Sequence, residues 1–127
     1  MTRINVVPAK ELSRQHLVAE YREIGRIYKL VRKAVERGED SLDKQNPGSY
    51  TLGTGHVRFF YPRLQFIRWR QIELYNEMRE RGYKPSFKPP SVLDIIGWTG
   101  IDESWYQDYV PTPEAIEINR ARIMERS

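Results

Sequence analysis

The chain has 127 residues, no cysteine and only two histidines, which fits one compact domain with a modest core and excludes disulfides, thiolate metal sites and cysteine nucleophiles. No run of about 18 apolar residues is present to cross a membrane. Lys and Arg number 21 against 17 Asp and Glu, giving a net charge of +4 and a pI near 9.4, and most of the positive charge is arginine, whose planar fork suits phosphate better than a point charge does.

The first residues, "MTRINVVPAKELSRQ", lack the long apolar stretch of a secretory signal, which is compatible with a cytoplasmic setting. Leu17, Tyr21, Ile24, Tyr28, Val31 and Val35 then recur at spacings of three or four and predict one helix from about Glu11 to Arg37, stopped at Gly38. On a helical wheel Arg22, Arg26, Lys29 and Lys33 fall opposite that apolar stripe. His16 and Glu23, seven residues apart, nearly superimpose on a third line between the two. Glu23 is either an ordinary i,i+3 partner of Arg26 or a carboxylate required beside a bound polyanion.

"GEDSLDKQNPGSYTLGTGHVRFFY" begins turn-rich and ends apolar and aromatic. Gly53 and Gly55 before His56 permit a tight turn and a close backbone approach, but the G-K-[ST] ending of a phosphate-binding P-loop is absent. The second helix is predicted from Pro62 to Arg81 with Gly82 as its stop. Its apolar stripe is Leu64, Ile67, Gln71, Leu74, Tyr75 and Met78, and its cations are Arg63, Arg68, Arg70, Arg79 and Arg81. The segment "YKPSFKPPSVLDIIGWTGIDESWYQDYVP" is too broken by proline for a long helix, and Phe87, Trp98, Trp105 and Tyr109 are expected to pin it to the core. A third helix follows from Thr112 as N-cap, Pro113 at the first position and Glu114 in the first turn; it carries Arg120, Arg122 and Arg126. The expectation is an all-α fold, a single compact domain of three main helices with long packed loops. Loops of that length are suspects for function.

Each arginine taken singly fits a solvated face. Three basic helices interleaved with aromatics favour binding to a nucleic-acid backbone, without indicating which base is read. Two histidines do not furnish a histidine-rich metal site, no H-E-x-x-H motif occurs, and no Ser/His/Asp triad can be nominated from spacing. The chain's own N-terminus remains. Thr2 is small enough for removal of Met1 to be expected. An α-amino group titrates near 7.7–8.0 against about 10.4 for lysine, so its free-base fraction at neutral pH is larger on the order of several hundred times. Such an amine can form a Schiff base with a sugar carbon, an argument that applies equally to many chains with a small second residue.

"MTRIN", "QHL" followed by "AEYRE" and Arg26, "LGTGHVRFFY", "RQIEL", "DYVP" and "ARI" occur in order from residue 1 to about 126. In these blocks and their spacing the chain resembles the phage pyrimidine-dimer DNA glycosylase family, also called endonuclease V. The resemblance implies a compact three-helix enzyme, here spanning 1–127, that excises a damaged pyrimidine and then nicks the abasic strand. It implies no metal or cofactor, and a monomer acting on double-stranded damaged DNA with a nucleotide turned out of the stack. By the same resemblance the amine of Thr2 attacks the anomeric carbon, and Glu23 is the carboxylate that stabilises the cationic sugar and assists β-elimination. Arg3, Gln15, His16, Arg22 and Arg26 match positions lining the DNA face, and Arg122 and Arg126 match basic positions of the third helix. Glu23 would then weaken ground-state binding of DNA and favour the transition state.

One departure concerns the end of the chain. The family's tyrosine-rich tail after the third helix has no counterpart in "MERS", and Trp105 and Tyr106 are the candidates to take its place. Two alternatives therefore stand beside the leading reading. One is the same chemistry on another damaged or modified base. The other is a non-catalytic architectural DNA-binding protein, which needs neither Thr2 nor Glu23.

Overall fold

The computed structural model describes residues 2–126. Residues 2–8 form no helix, and a single 3-10 turn (Ala9–Glu11) follows them. The α-helices are α1 (Arg14–Glu23), α2 (Arg26–Glu36), α3 (His56–Phe59), α4 (Leu64–Glu80), α5 (Val92–Thr99) and α6 (Pro113–Glu125), with a second 3-10 turn at Glu103–Trp105. Among the described residues there is no β-strand, only an isolated bridge between Arg63 and Tyr106. No described helix is long and apolar enough to cross a membrane. The all-α class expected from the sequence is the observed one.

The helix ends follow local chemistry. Gly38 takes φ +83°, its N–H donates to the Val35 carbonyl, and the Glu39 N–H reaches Ala34. Gly82, at φ +83°, ends α4 in the same way through Arg79 and Met78. Both are glycine-closed C-termini in which the left-handed residue carries no Cβ penalty. Thr112 caps α6 by accepting from the Ala115 N–H at 3.0 Å, as its position before Pro113 suggests.

Three expectations about the extent of the helices need correction. The predicted helix from Glu11 to Arg37 is two helices, divided at Ile24 and Gly25. There the Ile27 and Tyr28 N–H groups bond three residues back, at 3.3 Å, to Ile24 and Gly25. Glycine is a poor helix former, and this one faces Gln71, whose Nε2 would lie 3.7 Å from an added Cβ. Next, α4 begins at Leu64 rather than Pro62, because residues 62–63 pair elsewhere: the Gln107 N–H donates to the Pro62 carbonyl at 3.1 Å. Finally, the proline-broken segment contains α5. Ser91 and Asp94 close a reciprocal capping box and Gly100 (φ +72°) ends the helix, so two strong end signals sustain a short helix. It packs on α2 as α1 packs on α4.

The core gathers Leu17, Ile24, Ile27 and Val31 of the first helix pair, Phe59 and Phe60 at the end of α3, Leu64, Ile67 and Leu74 of α4, and Ile95 of α5, all buried. Each such side chain contributes roughly 1.5–3 kcal/mol by leaving water. Trp105 is buried, and Tyr109 packs edge-on against Phe59 at 5.0 Å. Phe87 stacks on Tyr21 at 4.4 Å and Trp98 leans on Tyr28 at 5.7 Å, yet both rings stay about half exposed, at 46% and 50%.

Residues 2–9 enter this core with no strand beside them, and Thr2, Ile4, Asn5, Val6, Val7 and Ala9 are buried. A buried backbone amide must find a partner, and here side chains supply it. The Arg3 N–H donates to Glu23 Oε1 at 3.3 Å, Ile4 to His56 Nε2 at 3.1 Å, and Asn5 to Glu20 Oε2 at 3.2 Å. Val6 and Val7 both donate to Asn119 Oδ1, at 2.7 and 3.1 Å, and Ala9 to Glu73 Oε2 at 2.7 Å. Pro8 has no N–H to satisfy. Four helices thus clamp one irregular segment.

At the centre of the clamp Glu20 meets Arg70 in a bidentate pair, Nε to Oε2 at 2.7 Å and Nη2 to Oε1 at 2.9 Å, both side chains being almost wholly inaccessible. Burial alone would lower the Arg70 pKa, but the charge and hydrogen bonds of Glu20 outweigh it and raise the pKa above its usual value. Arg70 also donates to the Val7 carbonyl at 2.6 Å. The sequence reading groups Arg70 with the outward cations of the second helix; it is a core residue. Arg63 lies over the Phe59 ring, 4.0 Å from its centroid, and Arg81 binds Glu77 and the Leu12 carbonyl.

Removing the Arg70 guanidinium strands a buried carboxylate. Arg70→Met is therefore expected to lower unfolding stability by about 3–5 kcal/mol, measured by urea denaturation. Asn119→Leu leaves the amides of Val6 and Val7 without their acceptor, at about 1–3 kcal/mol for each. Amide hydrogen exchange at those two residues should accelerate selectively.

Candidate active site

Three adjoining hollows run across one face. The first, of about 80 Å³, is lined by Thr2, Arg3, Gly53, His56, Asn119, Arg122 and Arg126. The second, of about 90 Å³, is lined by Arg3, Asn5, His16, Ala19, Glu20 and Glu23. A third, wider depression takes in Arg14, Gln15, Val18, Ala19 and Arg22. Arg3 is the wall between the first two, and Ala19 is shared by the second and third.

The residues singled out from the sequence therefore fall mostly in one place. Thr2, Arg3, Arg122 and Arg126 surround the first hollow; His16 and Glu23 share the second with Arg3; Gln15 and Arg22 border the third. Arg26 lines none of the three. It is the exposed first residue of α2, just beyond the break at Gly25.

Thr2 is buried, at 8% exposure. Met1, whose removal the chemistry of an N-terminal amine needs, lies outside the described residues. Glu23, the last residue of α1, is partly buried and is not paired with Arg26: its Oε1 accepts the Arg3 N–H. That bond holds the peptide joining Thr2 to Arg3. Of the two sequence-level readings of Glu23, the ordinary helix ion pair is not formed.

Electrostatically the face is open. Among the described residues, Arg3, Arg22, Arg26 and Arg126 form no ion pair, while Arg122 makes one contact with Glu125 at 3.6 Å. Three unpaired guanidinium groups around the hollows (Arg3, Arg22 and Arg126), with Arg26 exposed just beyond them, and the partly buried carboxylate of Glu23 make a site that attracts a polyanion and still offers a negative group within it. His16, buried in the wall of the second hollow, keeps its Nε2 without a hydrogen-bond partner among the described residues, while Ser13 caps its backbone N–H.

His56 reaches the site from the glycine-rich turn. Gly55 has φ +89°, and a Cβ there would stand 3.0 Å from Pro47 Cγ; this is the tight turn and close approach read from "LGTGH". The imidazole Nδ1 lies 2.9 Å from the Thr51 carbonyl and Nε2 accepts from Ile4. A carbonyl oxygen only accepts, so Nδ1 carries the proton and Nε2 the lone pair. Burial pushes the His56 pKa below the usual histidine value, against opposing hydrogen bonds and the charge of Glu20.

Trp105, considered as a replacement for an aromatic tail, is buried at 3% exposure and offers no ring to a ligand; Tyr106 is only partly exposed and its backbone bridges to Arg63. Sequence reasoning missed the residues that hold the site together: Asn5, Glu20, Arg70 and Asn119. A signal existed for three of them. Glu20 and Arg70 each follow a buried apolar residue (Leu17 and Ile67) by three positions, and Asn119 falls between Ile116 and Ile123 on the inner side of α6. A polar group on an apolar arc implies a buried partner.

A protein-family model described as pyrimidine dimer DNA glycosylase matches residues 1–88. The matched region includes Thr2, Arg3, Gln15, His16, Arg22, Glu23 and Arg26, together with His56 and Glu20, which line the hollows, and Arg70, the buried partner of Glu20. The match spans the larger part of the chain, and the chain therefore belongs to the pyrimidine dimer DNA glycosylase family, enzymes of DNA repair whose substrate is DNA.

Proposed function

We propose that this protein excises ultraviolet-induced pyrimidine dimers through its N-terminal amine and nicks the resulting abasic strand, acting as a monomer and with all of residues 1–127 as one unit. The observation that carries the proposal is the position of Glu23, whose carboxylate grips the peptide bond next to Thr2. The inclusion of α6 in that unit is supported by Asn119, Arg122 and Arg126, which border the same hollow as Thr2.

In this reading the Thr2 nitrogen lone pair attacks C1′ of the damaged nucleotide. The glycosidic bond breaks and its electron pair leaves with the base. The sugar ring opens to an imine between Thr2 and the deoxyribose, which becomes cationic on protonation. Loss of a C2′ proton then expels the 3′ phosphate by β-elimination, and water hydrolyses the imine to restore the amine. Positive charge develops on the sugar throughout, and Glu23 stabilises it and takes part in the proton transfers. Arg3, Arg122 and Arg126 hold the phosphates flanking the reacting sugar, while Gln15, His16, Arg22 and Arg26 follow the strand along α1 and into α2. Because Thr2 is buried, a nucleotide must leave the base stack to reach it.

A second reading, the same imine chemistry on another damaged base, draws support from the burial of Trp105, which withdraws the larger of the two candidate rings from a dimer and leaves only the partly exposed Tyr106.

Borohydride reduction of the Met1-processed protein on an abasic duplex and on a thymine-dimer duplex tests both readings. Covalent adducts on both duplexes, abolished by blocking the N-terminal amine, are the expected result. An adduct on the abasic duplex alone favours the second reading, and none on either refutes the imine chemistry. Glu23→Gln should bind the dimer duplex as tightly as the parent or tighter while losing excision; parallel loss of binding and activity would remove Glu23 from the proposed role. Arg122→Ala should weaken binding across sequences and reduce the slope of log K against log salt by about 1.

A further inference from the structure

We propose that His56 is a positioning residue for the N-terminal nucleophile, and that it holds Thr2 in register only as the neutral Nδ1–H imidazole. This rests on the proposed amine chemistry. The peptide bonds after Thr2 are held one by one. Glu23 takes the N–H of Arg3 at 3.3 Å and His56 takes that of Ile4 at 3.1 Å. Two consecutive peptide planes are thus fixed from two elements, α1 and α3, and together they set the direction in which Thr2 points. His56 is itself fixed by the Thr51 carbonyl at 2.9 Å, and edge-on contacts with Tyr50 and Phe60 at 5.6 and 5.7 Å confine the ring. It also borders the hollow that contains Thr2.

A second proton would convert Nε2 from acceptor to donor and set it against the Ile4 N–H, so the bond would be lost. The groups around the ring divide. Arg3 of the N-terminal segment opposes the imidazolium and Glu20 of α1 favours it; Arg122 of α6 borders the same hollow; Tyr50 presents an uncharged aromatic edge. Burial has the largest effect and keeps the ring neutral below the ordinary histidine range. The folded-state pKa lies below the unfolded value of about 6.5, so the clamp's contribution is complete above that value and is lost as pH falls through the folded pKa.

The test is the single-turnover rate of borohydride-trappable adduct formation on an abasic duplex between neutral and acid pH. Protonation of the amine alone slows the reaction tenfold per pH unit. Loss of the His56 clamp adds a second proton, and the parent profile should steepen towards a hundredfold per unit. In His56→Gln the side-chain amide oxygen can still accept from Ile4 and does not titrate, so its profile should remain at tenfold per unit. His56→Ala should trap at least tenfold more slowly at neutral pH, with DNA affinity changed less than twofold. In the free parent protein, imidazole nitrogen NMR should show an unprotonated Nε2, and protection of the Ile4 amide from exchange should fall at the pH where the ring titrates. A parent protein that traps, beside His56 variants with the same rate and profile, overturns this inference and leaves the amine chemistry standing. A parent protein that never traps refutes the amine chemistry instead. Should His56→Ala fail to fold, the parent titration decides: an Ile4 amide still protected after the ring is protonated overturns the clamp.

Discussion

The structure depends on how one unaccompanied stretch of backbone is buried. A strand satisfies its amides against a neighbouring strand and a helix satisfies its own; residues 2–9 do neither. Their N–H groups are taken by Glu23, His56, Glu20, Asn119 and Glu73, side chains contributed by α1, α3, α6 and α4. The Glu20–Arg70 pair makes this possible. A carboxylate that accepts from Asn5 in the core needs a counter-charge, and Arg70 supplies it while also binding the Val7 carbonyl. In a partially satisfied version of such a network each orphaned group would cost more than its bond contributes, so the members stand or fall together.

On the proposed chemistry this arrangement suits a chain whose reactive group is its own terminus. Chain ends ordinarily fray because nothing ties them down, and a frayed amine would lose the benefit of a fixed geometry with respect to its target. Here restraint begins one peptide bond after Thr2. Glu23 serves that restraint and, on the proposed chemistry, the reaction as well. On that chemistry the carboxylate that holds the peptide after Thr2 is also the one that would stabilise the cation formed at the sugar. An ion pair with Arg26 would have spent the same charge on a helix surface, where it contributes a few tenths of a kcal/mol.

The sequence disclosed what is local. Gly38, Gly82 and Thr112 mark helix ends through chemistry confined to a few neighbouring residues, and the apolar stripe through Leu17, Ile24 and Val31 is buried as its period requires. The grouping of Thr2, Arg3, His16, Glu23, Arg122 and Arg126 was also within reach, through resemblance. The break at Gly25 and the burial of Arg70 were not, because each depends on a partner far along the chain. Gln71 lies 46 residues from Gly25 and Glu20 lies 50 from Arg70. A stripe of arginines on a helical wheel does not distinguish the cation that meets solvent from the one that meets a buried carboxylate. α5 shows the complementary error: prolines 85, 89 and 90 signal a loop strongly, yet Ser91 and Asp94 only two turns before Gly100 carry a complete set of helix boundaries.

The division of labour between the matched region and α6 has a mechanical consequence. Residues 1–88 contain the clamp's acceptors on α1, α3 and α4, but Asn119 belongs to α6, as does Arg122, and Arg126 caps that helix's C-terminus. Asn119 holds two N-terminal amides with its oxygen and donates to Asn5 Oδ1 at 2.9 Å, while Arg120 bridges to Glu11. Arg122 stands one turn from Asn119 on α6, so a helix that held a phosphate through Arg122 would be the one hydrogen-bonded to the backbone of Val6 and Val7. On the proposed chemistry, DNA binding and nucleophile placement are then not independent: the helix that would grip the strand is also hydrogen-bonded to the segment carrying the amine. In that reading Asn119 touches neither DNA nor the reacting carbon, yet its bonds to Val6, Val7 and Asn5 join the helix that would grip the strand to the segment that carries Thr2.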